Sequence, residues 1–259
     1  MNYKTIVVAE KPPFRTITLH RPERRNAMTI EMQMELIAAM EDAAASGSRV
    51  LVFAGAGEAF CSGLDLSELQ AMRDKTPEEH HADAERFARL LLSLYELPIP
   101  TIAAVRGAAI AGGTGLATIC DFTLATPEAK FGFTEARIGF VPALVSAFLA
   151  LQIGDKRSRD LLLTGRLFDA EEALRLGLVN EVVAPENLAG RVQALAEVLV
   201  VNSPQSLAAT KRLMADQNRP WLDAAILAAM DANAKARETS DFHEGLAAFL
   251  EKRKPAWTK

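Results

Sequence analysis

From residue 102 to residue 120 the chain reads IAAVRGAAIAGGTGLATIC, and no other stretch limits the possible folds as strongly. Residues 102–105 form an apolar run of the kind that becomes a buried strand. Arg106-Gly107 follows, then the double glycine Gly112-Gly113, then a compact apolar segment that reads as a buried helix. A strand that passes through glycines into the start of a helix leaves backbone N–H groups with no intrahelical partner. Backed by the helix dipole, such donors hold a developing negative charge.

The flanking segments point to an α/β fold. Residues 5–9 and 15–19 read as the strands of a hairpin that turns at Glu10-Lys11-Pro12-Pro13. A polar loop, 20–27, carries Arg21, Arg24 and Arg25. Thr29 is placed to cap a helix whose inner face takes Ile30, Met34, Ile37 and Ala44, and Gly47 ends it. Residues 49–54 read as a buried strand, and 68–94 as a charged helical region interrupted near Pro77. Beyond the 102–120 stretch come a strand at 121–125, a loop at 126–139 containing FGFTEARIG, and an apolar helix at 143–151 behind Pro142. Asp169 with Glu172 predicts a capping box for a short helix closed by Gly177, and 178–183 a further strand. Ser203-Pro204 is a cap and first-turn pair, and 221–237 and 242–252 read as two more helices. Strands alternating with helices predict a largely parallel sheet. The change to an all-helical pattern near residue 200 divides the chain into an α/β core, 1–200, and a C-terminal helical region, 201–259.

Composition removes several function classes. The 259 residues are 49% hydrophobic and 24% charged, which is globular and long enough for a sizeable core. A net charge of −4 argues against nucleic-acid binding, which needs a basic stripe. Cys61 and Cys120 make no disulfide framework and suit a reducing cytoplasm. The N-terminal run lacks the pattern of a signal peptide, and the uncharged window 107–120 falls short of the roughly 20 residues a membrane helix needs. A soluble, cytoplasmic protein is the expectation.

Several motifs invite chemistry and most decline it. Gly55-x-Gly57-x-x-Phe60 follows a strand, as a dinucleotide fingerprint does, but its third position is phenylalanine and no helix clearly opens there. Gly112-Gly113-Thr114-Gly115 lacks the Lys-Ser/Thr ending of a phosphate loop. His80 and His81, adjacent on a helix, point about 100° apart and form no i,i+4 metal pair, so a solvated face is expected. Cys61 has no histidine near it in sequence and reads as a small buried thiol. Glu135 sits in Phe131-Gly132-Phe133-Thr134-Glu135, where aromatic surroundings raise a carboxyl toward neutrality and suit it to proton transfer. An ion pair with Arg137 or a helix N-cap interaction is an equal reading of the same residues. The cluster Arg21, Arg24, Arg25 and the tail Lys252-Arg253-Lys254 can meet either solvent or phosphate.

Taken in order, these segments resemble the crotonase family, also called the enoyl-CoA hydratase/isomerase family. The matching stretches are HRPERRNA at 20–27, AFCSGLDL at 59–66, and Val105-Arg106-Gly107 through Gly112-Gly113 to Cys120-Asp121. Downstream come Phe131-Gly132 with Glu135 and Gly139, LLTG at 162–165, Ala173 to GLVN at 177–180, and FLEKR at 249–253. The resemblance implies a crotonase-like spiral of ββα repeats with a C-terminal helical region that joins subunits into trimers or dimers of trimers. It implies acyl-CoA thioester substrates, with no tightly bound cofactor, no metal, and CoA as the carrier portion of the substrate. It also implies that the N–H groups of Leu64 and Gly112 bind the thioester oxygen, that Glu135 is the acid/base, and that CoA is held by Arg24, Arg25, Ala27, Ser62, Asp65, Leu66, Phe249 and Lys252.

The chain departs from the family at one position. Family hydratases resemble one another in carrying two glutamates, and the first falls here at Gly115, bracketed by Gly107, Gly112-Gly113 and Cys120-Asp121. Hydration of a 2-enoyl thioester needs water activated at C3 and a proton delivered to C2, whereas moving a double bond from position 3 to position 2 needs one base. The resemblance therefore implies an enoyl-CoA hydratase/isomerase-type enzyme with a single glutamate. The alternatives are a Δ3,Δ2-enoyl-CoA isomerase rather than a hydratase, and a non-catalytic acyl-CoA binding protein. Gly115 is expected to leave room for a bulkier acyl group or a water.

Overall fold

The structure is a computed structural model that describes residues 3–72 and 75–258. The hairpin forms as β1 (Ile6–Lys11) and β2 (Phe14–Leu19), antiparallel from Ile6↔Leu19 to Lys11↔Phe14. Thr29 caps α1 (Ile30–Ala45) by accepting a hydrogen bond from Met32 N, worth about 1 kcal/mol. The buried face of α1 is Met32, Leu36, Ile37 and Met40, while Met34, expected inside, is exposed.

Three units of strand, strand and helix follow. They are β3 (Val50–Gly55), β4 (Ala59–Cys61), α2 (Leu66–Ala71) and α3 (Pro77–Tyr95); then β5 (Thr101–Val105), β6 (Ala108–Ile110) and α4 (Gly112–Ile119); then β7 (Phe122–Ala125), β8 (Lys130–Gly132) and α5 (Ala143–Thr164). In each unit the first strand joins a six-stranded sheet, β1-β2-β3-β5-β7-β10, and the second joins a four-stranded sheet, β4-β6-β8-β9. Except for the β1/β2 and β8/β9 pairs, both sheets are parallel. Repeating this step winds the chain into the expected spiral of ββα units.

The fold closes with β9 (Leu167–Asp169), α6 (Ala170–Leu176), β10 (Glu181–Val182), α7 (Leu188–Val200), α8 (Pro204–Ala236) and α9 (Ser240–Leu250). Four expectations change here. The helix behind Pro142 runs on to Thr164 across a break at Gly154, because apolar periodicity resumes after the charged turn. Strand β10 is shorter than expected, because the Asn180 side chain accepts Thr123 N at 2.7 Å where a ladder bond would otherwise form. Asp169 accepts Glu172 N, but the reciprocal half of a capping box is absent because Glu172 is taken by Arg166 at 2.6 and 2.9 Å. Helix α8 begins at Pro204 and passes through Pro220, so no new helix starts at Trp221. Tertiary contacts with α3 and α5 carry it past the lost backbone bond, among them Asn218 Nδ2 donating to Tyr95 Oη at 2.9 Å.

The core positions the functional end of the spiral. Helix α4 is buried along its whole length, and its one early hydroxyl, Thr114, donates to Ala109 O at 2.6 Å. It lies so close to β4 that a Cβ on Gly113 would stand 2.2 Å from Cys61 O, so only glycine fits. His80 corrects the expectation of a solvated histidine pair: it is buried, with Nε2 2.9 Å from Met72 O, while His81 is half-buried, its Nδ1 3.8 Å from Asp231 Oδ1. No helix among the described residues is long and apolar enough to cross a membrane.

Candidate active site

The loop after β4 presents one of the expected amides. Gly63 O accepts Met28 N at 2.8 Å, and Asp65 N donates to Met28 O at 2.9 Å. Successive peptide groups of an extended chain alternate in direction, so the residue between them, Leu64, turns its N–H away from Met28. That N–H has no acceptor among the described residues. Gly63 has φ +91°, and its missing Cβ would fall 3.6 Å from Gly112 N, so the loop and the start of α4 lie side by side.

The second amide is aimed by strain. Ala111 N donates to Gly132 O at 2.6 Å, which pins the chain to β8. Ala111 then adopts φ 53° and ψ −123°, a conformation that costs a non-glycine residue about 1–3 kcal/mol. The turn leaves Gly112 N–H in the first turn of α4, with no acceptor among the described residues. Behind it, a Cβ on Gly112 would meet Phe87 Cζ at 2.9 Å and Met28 Cε at 3.2 Å, so the back of this turn is hydrocarbon.

Glu135 faces the same space. It opens a 3-10 turn, Glu135–Ile138, directly after the buried Phe131 and Phe133. Burial pushes its carboxyl up from 4.5 to about 7, offset in part by its own backbone N–H. Its Oε2 is buried with no hydrogen-bond partner. Arg137 is exposed and forms no ion pair with it among the described residues, and the N-cap of the turn is Thr134. Of the structural readings, the ion pair with Arg137 is absent among the described residues, and the carboxyl's contact with the start of the turn is with its own N–H.

Leu64, Gly112 and Glu135 line one cavity of about 250 Å³, walled by Leu69, Phe87, Phe140 and Leu144. Glu135 and Arg25 are the ionisable residues on that wall. Of the residues expected to hold CoA, Arg25, Ser62, Leu66 and Phe249 line the cavity, whereas Arg24, Ala27, Asp65 and Lys252 do not. Arg24 and Lys252 are exposed. Ala27 O accepts Arg21 Nη1 at 2.5 Å, and Asp65 binds Arg21 at 2.9 Å while capping α2 through Ser67 N at 3.0 Å. Burial alone would raise the Asp65 carboxyl, but the hydrogen bonds from Ser67 and Arg21 hold it below its ordinary value.

Three residues beyond those expected shape the site. Asn26 is fully buried and donates to Ala56 O at 2.9 Å and Ala59 O at 2.8 Å, anchoring the arginine loop so that Arg25 reaches the cavity. Val145 fills the space beside Gly115: a Cβ there would lie 2.5 Å from Val145 Cγ1. The expected vacancy is therefore closed by a side chain thirty residues away. Asn233, from α8, also stands on the cavity wall. Only Asn26 carried a sequence signal, as a member of the HRPERRNA stretch at 20–27.

Other groups stay outside the chemistry. Burial pushes the Cys61 thiol up to about 12 and raises Cys120 further, so neither is a ready nucleophile. A larger cavity, about 360 Å³, lies between α7 and the six-stranded sheet, but it contains neither a carboxylate nor the two free amides. Among the described residues, no group of three or more His, Cys, Asp or Glu side chains could hold a metal ion.

Comparison with known proteins agrees along the chain. The sequence model of the family Enoyl-CoA hydratase/isomerase matches residues 13–259. A Thermus thermophilus protein named after enoyl-CoA hydratase is 43% identical over 96% of this chain and 99% of its own. The 1,2-epoxyphenylacetyl-CoA isomerase of Escherichia coli is 32% identical over 94% of each chain. The crystal structure of an enoyl-CoA hydratase/isomerase from Xanthobacter autotrophicus Py2 superposes with a TM-score of 0.89, at 30% identity over 97% of this chain and 98% of that one.

Proposed function

The chain belongs to the enoyl-CoA hydratase/isomerase family, and from that premise we propose that it moves a proton on an acyl-CoA thioester with Glu135 as its single acid/base. The observation that carries this reading is the buried carboxyl of Glu135, raised to about 7 with its Oε2 unpartnered, in the same cavity as the unpaired N–H groups of Leu64 and Gly112. An acid near neutrality is matched to taking a proton and giving it back. The two amides suit a thioester oxygen as it gains negative charge, and one such donor is typically worth about 3–4 kcal/mol of barrier.

Isomerisation is the reaction this arrangement favours. The Glu135 carboxylate removes a proton from C2 of a 3-enoyl thioester. The C2–H electrons move toward the thioester oxygen, which the Leu64 and Gly112 amides hold as the enolate. The Glu135 acid then returns the proton to C4 as the double bond settles between C2 and C3. No water enters the balance. Val145 supports this choice, because the place beside Gly115 is aliphatic and offers no second carboxylate to divide the work of hydration.

For the carrier, Arg25 at the cavity is proposed to meet a CoA phosphate, with Ser62, Leu66 and Phe249 against the adjoining chain. Arg24 and Lys252 would reach it from outside, while Ala27 and Asp65 hold the Arg21 loop in place. Residues 201–259 are proposed to join subunits into a trimer or a pair of trimers; the exposed Leu213, Met214, Trp221 and Leu227 along α8 support such a contact. A purely binding role is disfavoured, because a buried carboxyl with one oxygen unpaired costs stability and a binder has no use for one.

The test offers 2-enoyl-CoA and 3-enoyl-CoA of several chain lengths and follows the conjugated thioester absorbance. A rise from the 3-enoyl substrate, lost in Glu135→Gln, is expected. A fall from the 2-enoyl substrate with no reaction of the 3-enoyl one would mean hydration, and no change with any substrate would mean a binding protein.

A further inference from the structure

Behind one residue of the cavity wall, Asn233, stands a polar device that the proton transfer does not use. Asp83, on α3, pairs with Arg237, beyond the end of α8, and also with Arg86. Arg237 is buried, lies over the Phe140 ring at 5.6 Å, and is further held to α9 by the His243 ring against Arg237 O at 2.8 Å. One helical turn back from Arg237 stands Asn233, 4% exposed, on the cavity wall.

The orientation of Asn233 is fixed by chemistry. A guanidinium only donates, so the atom of the amide that faces Arg237 has to be the oxygen. Arg237 Nε and Nη2 approach Asn233 Oδ1 at 3.3 and 3.2 Å. The other end, Nδ2, therefore turns away from Arg237, and it meets no acceptor among the described residues. Because Asn233 lines the same cavity as Leu69, Phe87 and Phe140, its two N–H bonds add a donor to a lining whose other polar side chains are Arg25, Ser62, Thr134 and Glu135. A locked donor with no partner, on a nine-tenths buried side chain, marks a place where a bound molecule supplies an acceptor.

We infer that Asn233 is a specificity-determining residue that selects acyl thioesters whose acyl portion carries a hydrogen-bond-accepting oxygen. This rests on the reading of the cavity as the acyl-CoA site. Asn233 takes no part in the proton transfer. It favours an oxygenated acyl chain by meeting its oxygen, and it disfavours a plain hydrocarbon chain by being left desolvated and unpaired.

The test measures affinity, so it does not depend on turnover. Three saturated acyl-CoA compounds of equal chain length are titrated calorimetrically: one plain, one with a ketone oxygen, one ending in a carboxylate. The wild-type protein is expected to bind at least one oxygenated compound about tenfold or more tightly than the plain one. Asn233→Asp keeps an acceptor for Arg237 but presents an oxygen to the cavity, and it should remove or reverse that preference. Equal binding of all three by the wild-type protein, absence of binding by any of them, or a preference that survives in Asn233→Asp would overturn the inference. If that variant does not fold, the wild-type ratio alone decides. Should no enoyl-CoA react while the ratio holds, the single-glutamate reaction fails and the specificity role of Asn233 stands.

Discussion

Glu135→Gln separates the catalytic and the structural consequences of burying a carboxyl. Burial raises the group from 4.5 to about 7, and each pH unit is just over 1 kcal/mol. The folded protein therefore holds this proton more tightly than the unfolded chain does. Its contribution to stability is fully present below about pH 4.5 and is lost as pH rises through about 7, to the extent of roughly 3 kcal/mol. Glutamine has the same shape and no charge to desolvate, so it removes that loss. In thermal melts the variant should match the wild-type protein near pH 4.5 and exceed it above pH 8. For a chain of this length the gap should reach roughly 6–12 °C, at about 2–4 °C per kcal/mol. The same variant should lose about two to four orders of magnitude in turnover of 3-enoyl-CoA, while wild-type kcat/KM rises with pH and levels off above about 7. A melting difference that does not change with pH would refute the claim that desolvation sets this carboxyl.

Gly115→Glu, made alone, should destabilise the protein by about 1–3 kcal/mol through overpacking against Val145 and should not create hydratase activity. Combined with Val145→Gly it should recover part of that stability and raise hydration of 2-enoyl-CoA, read from the fall in conjugated absorbance. Asp83→Ala strips a buried arginine of its carboxylate, and chemical denaturation should show a loss of about 3–5 kcal/mol. Cys61 and Cys120 should resist thiol reagents in the native protein at neutral pH and react only in denaturant, as a timed alkylation with mass readout would show.

Local signals along the chain already determined much of this protein. The cap at Thr29, the break at Pro77, the alternation of strands and helices, and the glycine pair before a buried helix are each written within a few residues, and each appears in the structure. The placement of Leu64, Gly112 and Glu135 on separate segments that face one cavity follows from the spiral, whose repeat is topological and leaves no fixed period in the sequence. Where the sequence reading failed, the deciding contact was distant. Val145 closes the space at Gly115 from thirty residues away, Asp83 orients Asn233 through Arg237 across more than a hundred, and α3 and α5 carry α8 through Pro220. Periodicity and capping report what a segment does with its own backbone and one face. Whether a carboxyl is left unpaired or a glycine's space is already filled depends on which distant side chain arrives there, and only the packed structure decides that.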